Sequence, residues 1–341
     1  MKTEQVQAKQ YVVMFPNAET AQANWPQGVA QDRSEAAFST ETRKVATLSQ
    51  EMVDSLVKAG AKVVENYAVS IPPGEMESRL QMRSDIEAQL KESVFVHGAD
   101  KLHAVGIKGN SSAHAPTMVT IDTGIAAHKD LQTDKRGLKF YDVFDKSEEA
   151  WNDKQTHGTH CSGIMMAHGG VTGMAPDAKF IGIKVLDDEG SGTLASVMSG
   201  IDKAIEYFKA GYKPMVCNMS LGAGPTEVAT DALVAKVKEA ADLGIYFAIA
   251  AGNSGPRPNS IGTPGTTIHP NVIPVAAFET RSTIPQDDDS ITSFSSRGGD
   301  KANLGQDSLR TTGMGADGSN VLSTINEDGY AKYSGTSMAA P

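Results

Sequence analysis

The sequence is poor in cysteine. Of its 341 residues only 2 are cysteines, Cys161 and Cys217, which excludes the multi-disulfide framework of small secreted domains. Each cysteine lies inside an apolar stretch, a setting typical of a buried thiol. We therefore expect both thiols to be free and buried, and the redox compartment of the protein stays open.

Long apolar runs are absent as well. No stretch approaches the roughly 18 apolar residues that a membrane-spanning helix needs, so we expect no membrane partner. The opening segment, MKTEQVQAKQ, lacks the apolar core of a secretory signal peptide. The protein is expected either to stay in the cytosol or to be made with a leader that precedes this sequence.

The sequence also lacks an excess of positive charge. The chain has 31 basic and 41 acidic residues, a formal net charge of -10, and no basic stripe. Nucleic acid is therefore not an expected partner, because binding to phosphates requires a basic surface. The 40% of hydrophobic and 21% of charged residues are typical of a globular protein, and the length suggests two domains or one large domain with an appendage.

A small α+β unit is predicted at the N-terminal end. The segment YVVMF at 11–15 predicts a strand, and the apolar spacing from Ser39 to Lys58 predicts a helix capped by Ser39 or Thr40. A second strand is predicted at 61–71, where Pro72, Pro73 and Gly74 would end it. Residues 75–91 predict a charged amphipathic helix.

From Ala115 onward, apolar strands alternate with helix patterns. This order predicts an α/β fold with a mostly parallel sheet and helices on both faces, in which functional side chains gather at the C-terminal ends of the strands. The predicted strands are TMVTI (117–121), FIGIKVL (180–186), MVCNMSL (215–221), IYFAIAA (245–251) and NVIPVAA (271–277), with helices after His157, at 196–208 and at 231–243.

Asp122 follows the first of these strands, in the motif IDTG. A carboxylate at the end of an apolar strand must be paired or hydrogen-bonded, since burying it bare is costly. A helix cap or a loop acceptor would meet this requirement. So would a partner in the next polar motif, HGTHCSG, which contains His157.

His157 stands where a helix is predicted to begin, and Gly158 would allow another segment to approach closely. A neutral imidazole suits a proton shuttle near pH 7. On the residues alone two other interpretations stay open, a core histidine without chemistry and a metal site shared with His160. The metal site is disfavoured because the glutamate of an H-E-x-x-H motif is absent.

Ser337 lies in SGTSMAAP, at the entry to a predicted helix. A hydroxyl there is near unpaired backbone N–H groups and the positive end of a helix dipole, which favours the negative charge of an acyl-transfer intermediate. An ordinary N-cap serine has the same pattern. The G-x-S-x-G elbow of α/β-hydrolases, and with it a lipase-like esterase, is disfavoured because Ala339 replaces the second glycine.

Asn253 lies in a fourth motif, AIAAGNSG, directly after a predicted strand. Its amide could donate a hydrogen bond to a developing oxyanion, although as a turn residue it would need no function. In chain order, Asp122, His157, Asn253 and Ser337 would supply an orienting carboxylate, a base, an oxyanion donor and a nucleophile.

Six motifs, taken together and in order, resemble those of the subtilisin-like serine peptidases, or subtilases. They are IDTGI, HGTHCSG, NMSLG, AAGNSG, SFSSRG and SGTSMAAP. The resemblance runs from about Val94 to the end of the sequence, and the cysteine of HGTHC with the run KVLDDEGSG is most similar to the proteinase K branch.

The resemblance implies a serine endopeptidase that needs no cofactor for its chemistry. Ser337 would attack the peptide carbonyl, and His157, held by Asp122, would take the proton and pass it to the leaving amine. Asn253 and the backbone N–H of Ser337 would hold the oxyanion. The alternative is a non-catalytic binding protein, or an inactive fragment, with the same fold.

Protein or peptide substrates are implied to bind as an extended strand between two segments, a mode that gives affinity with little sequence preference. The first pocket has uncharged walls, which predicts a broad preference for apolar or aromatic side chains before the cut. The implied residues are Gly190, Ser191, Gly192 and Leu194, then Ser220, Leu221 and Gly222, and in the pocket Ala250, Ala251, Gly252 and Gly262.

The N-terminal unit resembles the family's inhibitory prodomain in its order of elements and its position. We expect residues 1–92 to form this propeptide domain, to inhibit the enzyme intramolecularly and to be cut off near Lys91 to Val94. Residues 93–341 are expected to be a catalytic domain that lacks its C-terminal part, since only one helical turn follows Ser337. We expect a monomer, and the resemblance favours an extracellular location.

Calcium is the one ion that the resemblance raises. Asp130, in HKDL, matches one ligand of the family's tight calcium site, whose other ligands are missing here. Glu279 matches the acidic residue of a second, weaker cation site. Structural calcium is therefore an expectation that concerns these two positions alone, and no metal is assigned to the chemistry.

Overall fold

The computed structural model describes residues 9–30, 38–72, 75–80, 92–110, 115–148, 150–224, 231–281, 283, 285, 287–299 and 313–341. Its helices are α1 (Ala18–Asn24), α2 (Gln50–Lys58), α3 (Glu92–Val96), α4 (Ala99–Ala104), α5 (Thr133–Arg136), α6 (His157–Met166), α7 (Leu194–Lys209), α8 (Ala232–Asp242) and α9 (Thr336–Ala339). Its strands are β1 (Lys9–Met14), β2 (Arg43–Leu48), β3 (Lys62–Glu65), β4 (Ala68–Ser70), β5 (Glu75–Leu80), β6 (Thr117–Asp122), β7 (Gly137–Asp142), β8 (Lys179–Lys184), β9 (Ser191–Thr193), β10 (Met215–Met219), β11 (Tyr246–Ala250), β12 (Val272–Glu279), β13 (Ser290–Ile291), β14 (Met314–Asp317), β15 (Val321–Ile325) and β16 (Gly329–Ser334).

A mostly parallel sheet forms the centre of the larger unit. Its strand order is β13-β12-β11-β10-β6-β8-β7, with β14 also paired to β12. The pairs are parallel except for β12 with β13. The sequence prediction of an α/β fold with a mostly parallel sheet is confirmed, and the strands predicted from TMVTI to NVIPVAA all form.

Helices cover both faces of this sheet. In β6, Val119 and Ile121 belong to the large apolar cluster that contains α7 and α8 side chains, whereas Met118 packs against a second cluster with Met165 and Met166 of α6. Successive side chains of a strand point to opposite faces, so two different helical layers enclose β6. This enclosure explains why β6 and β8 are almost continuously buried.

The N-terminal unit contains a three-stranded antiparallel sheet of order β2-β1-β3. The helix predicted from Ser39 to Lys58 is wrong in its first half, because residues 43–48 form β2. Val45 and Leu48 have helical spacing, but they lie on opposite faces of β2 and enter two different clusters. The helix α2 begins only after Ser49, whose hydroxyl accepts from the Met52 N–H at 3.3 Å.

Two further predictions for the N-terminal unit need correction. The strand predicted at 61–71 is divided into β3 and β4, which join different sheets. The helix predicted at 75–91 is wrong for 75–80, which form β5 and pair with β16. The rest of that predicted helix, 81–91, lies outside the described residues.

The N-terminal unit is joined to the larger unit by strands and by apolar packing. β4 pairs with β9, and β5 pairs with β16, both antiparallel. Val12, Val45 and Val69 lie in the same buried cluster as side chains of α7 and α8. The segment that follows β3 therefore contributes one strand to each of two small sheets of the larger unit.

Both cysteines are free and buried, which confirms the prediction. In the part of the chain that the structure describes, no helix combines the length and apolar character needed to cross a membrane.

Candidate active site

Asp122 is the last residue of β6 and is fully buried. Its Oδ1 accepts the N–H of Thr123 at 2.7 Å and faces Nδ1 of His157 at 2.8 Å. For its Oδ2, the described residues offer no hydrogen-bond partner. The carboxylate is therefore paired mainly through the imidazole, as a buried charge requires.

His157 is the first residue of α6 and is 5% exposed. Gly158 allows this helix to start beside the β6 end, because a Cβ at Gly158 would collide with the carbonyl oxygen of Gly124. The Gly158 N–H donates to the hydroxyl of Thr123 at 2.9 Å, which joins the start of α6 to the residue that follows β6. In the neutral imidazole, donation from Nδ1 to Asp122 leaves Nε2 as a proton acceptor.

The pKa of His157 reflects this pairing. Burial by itself would lower the pKa, but the facing charge of Asp122 and its hydrogen bond raise it well above the ordinary value of 6.5. The pKa of the neighbouring Cys161 thiol is raised by burial, so near neutral pH this thiol is uncharged. Asp122 is thus the negative charge that favours the protonated imidazole.

Ser337 is the second residue of the short helix α9 and is 2% exposed. Its hydroxyl donates to the carbonyl oxygen of Ser220 at 3.3 Å. The Cys161 thiol of α6 connects the histidine to the serine, with Sγ 3.9 Å from His157 Nδ1 and 3.5 Å from the Ser337 carbonyl oxygen. Three of the predicted residues, Asp122, His157 and Ser337, thus lie at one buried centre.

Asn253 follows β11 and contacts the turn before Ser337. Its Oδ1 accepts the backbone N–H of Thr336 at 3.0 Å and the Thr336 hydroxyl at 2.8 Å. That hydroxyl also accepts the Gly252 N–H at 3.1 Å. Because the amide oxygen is held by these donors, the orientation of the Asn253 side chain is fixed against α9.

A cavity of about 140 Å³ opens beside Asn253. Its lining contains no charged side chain and includes residues predicted to bind substrate. The lining residues are Ser70, Pro72, Leu221, Gly222, Ala223, Gly224, Ala250, Ala251, Gly252, Asn253, Ser254, Gly262 and Thr263.

The other predicted substrate residues lie along a strand pair beside this cavity. Ser191 and Gly192 are in β9 and pair with β4, and the carbonyl oxygen of Gly190 accepts the N–H of Ile71 at 3.2 Å. Leu194, which begins α7, is fully buried in the cluster that also contains Val69. Ser220 is fully buried next to Ser337.

A segment of the chain itself lies in the cleft between β9 and Gly222. Ser70 and Gly222 exchange two backbone hydrogen bonds, each of 3.0 Å. The segment 68–71 is therefore an extended strand between β9 and Gly222, with Pro72 at the cavity. The strand predicted at 61–71 includes these residues, but their pairing with β9 and Gly222 was not predicted. The alternation of Val69 and Ile71 with polar Ser70, directly before two prolines, was the available signal.

His160 does not share a site with His157. Its ring stacks on Tyr333 with centroids 4.2 Å apart, and its Nε2 lies 3.0 Å from the carbonyl oxygen of Ala331. Burial lowers the pKa of His160 to about 3, so this imidazole is neutral. His160 is therefore a core histidine, whereas the core-histidine alternative in the sequence analysis concerned His157.

One group of described residues has the spacing of a metal site. Ligand atoms of Asp122, His157 and Cys161 lie within 4.8 Å of one another. The imidazole and carboxylate are only 2.8 Å apart, however, whereas tetrahedral zinc ligands at about 2.0–2.2 Å from the metal are separated by roughly 3.3 Å. A shared proton fits this geometry better than a metal ion.

Asp130 and Glu279, the two positions considered for calcium, have different surroundings. Asp130 Oδ2 accepts the N–H of Val171 and the hydroxyl of Tyr330, both at 2.8 Å. A cation needs oxygen acceptors around it, and these two groups are donors, so this oxygen is already engaged and does not face a calcium site. Glu279 is an exposed residue at the end of β12, paired with Ser290.

Known proteins resemble this chain in sequence and in structure. The chain is 34% identical over 249 residues to the "Serine protease AprX" of Bacillus subtilis (strain 168), covering 66% of this chain and 54% of that protein. It is 36% identical over 236 residues to the "Subtilisin" of Bacillus sp. (strain TA39), covering 66% of this chain and 53% of that protein. The chain thus spans about half the length of the curated relatives that it matches.

The solved structures agree on the fold. A protein described as "S41 Psychrophilic Protease" superposes with a TM-score of 0.56 at 33% identity, over 69% of this chain and 78% of that one. The sequence pattern of the Subtilase family, peptidase S8, matches residues 115–341, which contain Asp122, His157, Asn253 and Ser337. With the family pattern present over well more than half of its length and a subtilisin-like fold, the chain belongs to the Subtilase family.

Proposed function

We propose that this protein is a serine endopeptidase whose catalytic residues are Asp122, His157 and Ser337. The observation that carries the proposal is the buried contact of Asp122 with His157 at 2.8 Å beside Ser337 at a helix start. The named relatives, a serine protease and a subtilisin, support the same chemistry.

In the proposed reaction, Nε2 of His157 removes the proton of the Ser337 hydroxyl while Oγ attacks the substrate carbonyl carbon. His157 then gives that proton to the leaving amine as the C–N bond breaks, which leaves an acyl-enzyme. Water, deprotonated by the same imidazole, hydrolyses the ester and restores the serine. The carboxylate of Asp122 holds the ring by its Nδ1–H and stabilises the imidazolium.

The oxyanion of this reaction would be held by the amide of Asn253 and by the backbone N–H of Ser337. Support comes from the bonds of Thr336 to Asn253 Oδ1, which fix the amide next to the nucleophile turn. A preorganised donor of this kind lowers the barrier because it requires no reorientation when the charge forms.

Substrates would be proteins or peptides bound as an extended strand where β4 now lies. Gly190, Ser191 and Gly192 would pair with one edge of the substrate and Gly222 with the other, as they now do with residues 69–71. The uncharged cavity lined by Ala250, Gly252 and Gly262 would take an apolar or aromatic side chain before the cut.

Residues 1–92 would be an inhibitory propeptide domain and residues 93–341 the catalytic domain. The support is the position of 68–71, which takes the backbone partners that a substrate strand would need. The full chain would then be a zymogen, cut near Lys91 to Val94. Cleavage at the Pro72–Pro73 bond is not expected, since proline after the scissile bond has no N–H and a rigid ring.

The finer grouping with the proteinase K branch rests on Cys161, whose thiol touches both His157 and Ser337. No cofactor enters the proposed chemistry. Calcium is not proposed at Asp130, whose carboxylate oxygen is occupied by hydrogen-bond donors.

A fluorophosphonate probe tests the proposal, because it modifies only an activated serine. The full chain, allowed to process itself, should label on Ser337 and should hydrolyse casein and a peptide anilide. The Ser337→Ala variant should do neither and should keep its propeptide. Equal labelling of both proteins, or peptide binding without turnover by the parent, would contradict the assignment and favour a binding protein with this fold.

A further inference from the structure

The carbonyl group of Ser337 lacks the partner that an α-helix would give it. In a helix this oxygen accepts the N–H four residues later, but that residue is Pro341, which has no N–H. The N–H of Ala340 is engaged with the carbonyl of Thr336 at 3.1 Å. A buried carbonyl without a donor is destabilising, so this one must find its donor elsewhere.

That donor is the side chain of Ser220. Its hydroxyl donates to the Ser337 carbonyl oxygen at 2.8 Å, while the Ser337 hydroxyl donates to the Ser220 carbonyl oxygen at 3.3 Å. The two serines are therefore joined twice, in opposite directions. The contact at 3.5 Å from the Cys161 thiol to the same Ser337 carbonyl is longer and weaker.

Asn218 determines which way the Ser220 hydroxyl points. Its Nδ2 donates to Ser220 Oγ at 3.0 Å, so the hydroxyl oxygen accepts from Asn218 and its hydrogen is directed to Ser337. Asn218 is 1% exposed and Ser220 is fully buried, which keeps water from competing for these bonds.

The nucleophile residue is consequently held from both sides. The peptide group before Thr336 is fixed by Asn253 Oδ1, and the peptide group after Ser337 is fixed by Ser220. Between two fixed peptide groups the backbone dihedral angles of Thr336 and Ser337 have little freedom, so Cβ and the backbone N–H of Ser337 keep their positions.

We propose that Ser220 is a positioning residue for the nucleophile: its hydroxyl, oriented by Asn218, replaces the helical donor that Pro341 cannot supply to the Ser337 carbonyl. This inference rests on the proposed function. It differs from the expected role of Ser220 in binding substrate, because that role would use the backbone of Ser220 and this one uses its side chain.

A double-mutant cycle with Ser220→Ala and Pro341→Ala tests the inference. In the parent background, Ser220→Ala should lower kcat about 10-fold and leave KM within about twofold, because the lost bond acts on the nucleophile. In the Pro341→Ala background, the alanine introduced at that position can donate its N–H to the Ser337 carbonyl, and the same change should lower kcat less than about threefold. All rates are measured on self-processed enzyme and divided by the concentration of titrated active sites.

Ser323→Ala is the matched control. Ser323 is a buried serine whose hydroxyl also donates to a helical carbonyl, that of His160 at 2.7 Å. Its loss should lower the unfolding midpoint in urea without changing kcat, since it does not hold Ser337.

Three results would overturn the positioning role while the parent stays active. Ser220→Ala could lower kcat equally in the two backgrounds, it could raise KM instead of lowering kcat, or Ser323→Ala could lower kcat by the same factor. If the parent chain itself neither labels at Ser337 nor hydrolyses peptides, the proposed function fails, and this inference fails with it.

Discussion

The carboxylate of Asp122 determines the protonation of its neighbour. Oδ1 is bonded to His157 and Thr123, and among the residues that the structure describes none donates a hydrogen bond to Oδ2. The imidazole is therefore the main side-chain partner of this negative charge. This charge raises the pKa of His157 against the opposing effect of burial. Since the neutral imidazole is the base in the proposed reaction, the acid limb of the activity profile should lie above the ordinary pKa of His157.

Asp122→Asn should lower kcat by about 10⁴-fold, because the amide favours the wrong imidazole tautomer. It should also move the acid limb of kcat/KM to lower pH: without the carboxylate, burial dominates and the pKa of His157 falls. The measurement is kcat/KM from pH 4 to 10 for both proteins. An unchanged limb with reduced kcat would mean that Asp122 does not set this pKa.

Asn253→Leu should lower kcat by about 100- to 1,000-fold with a small change in KM, since the amide would act on charge that forms only in the transition state. Subtilisin, a member of the same family, is the source of that magnitude. Thr336→Val serves as the control, because it removes the hydroxyl bonded to Asn253 but keeps the backbone N–H that donates to the same oxygen. A loss in Thr336→Val equal to that in Asn253→Leu would assign Asn253 a structural role only.

The position of Asp122 and Asn253 at strand ends could be predicted from sequence, whereas the contacts of the site residues could not. Asp122 and Asn253 each follow an apolar strand, and the ends of parallel strands meet at one edge of a sheet. The bonds from Thr336 to Asn253 and from Ser220 to Ser337 join residues far apart in the chain. Local patterns contain no information on which distant donor meets which acceptor.

At the scale of elements, five strands of the central sheet, β6, β8, β10, β11 and β12, were predictable because they are largely buried and nearly continuously apolar. The strands β7, β13 and β14 are less buried and were not predicted. The segment from Ser39 to Lys58 was not predictable either, since Val45 and Leu48 satisfy a helical period by coincidence. Their different clusters decide the outcome: Val45 packs on the larger unit and Leu48 on the core of the N-terminal unit. Contacts with distant residues also explain why 75–80 form β5, because this segment pairs with the edge of β16.

The strand β4 provides a direct test of inhibition by the N-terminal segment. Val69 is fully buried in the cleft, whereas the adjacent Ala68 is exposed. Val69→Asp should displace the strand and let the probe label Ser337 before any cleavage, because a carboxylate is strongly disfavoured in this apolar site. Ala68→Asp adds the same charge at the exposed neighbour and should leave the uncut chain as latent as the parent.

Labelling rates of the uncut chains, measured with cleavage followed by gel electrophoresis, separate the two variants. If Val69→Asp and Ala68→Asp label equally slowly, the strand does not block the site.

At the scale of the whole molecule, the N-terminal unit is docked on the first turns of two helices. The Leu194 N–H donates to the Tyr67 carbonyl at 2.9 Å, and the Tyr67 hydroxyl donates at 3.0 Å to Asp231, the cap of α8. Arg43 adds an ion pair of 2.7 Å with Asp202 and a bond of 2.9 Å to Ser199 on α7. These contacts hold β4 in the cleft from a distance.

Arg43→Met should weaken this docking by about 2 kcal/mol, less than the roughly 3–5 kcal/mol of a fully buried pair, because the Asp202 side chain is 35% exposed. In the Ser337→Ala background, which cannot cut itself, the urea midpoint of the N-terminal unit should fall. Lys9→Met, which removes an ion pair with Glu65 whose side chains are both more than half exposed, should leave the midpoint unchanged. A similar fall in both variants would show that Arg43 has no special part in docking.

The pairing of β4 with β9 and with Gly222 also bears on association between molecules. When β4 is removed, two short edges with unpaired N–H and C=O groups face each other, and such edges accept any extended chain. A transient substrate satisfies them only during turnover. If the chain is processed as proposed, the processed chain is expected to recruit flexible tails of its own products or of other copies, so that self-digestion and strand exchange would become concentration-dependent properties that the uncut chain does not have.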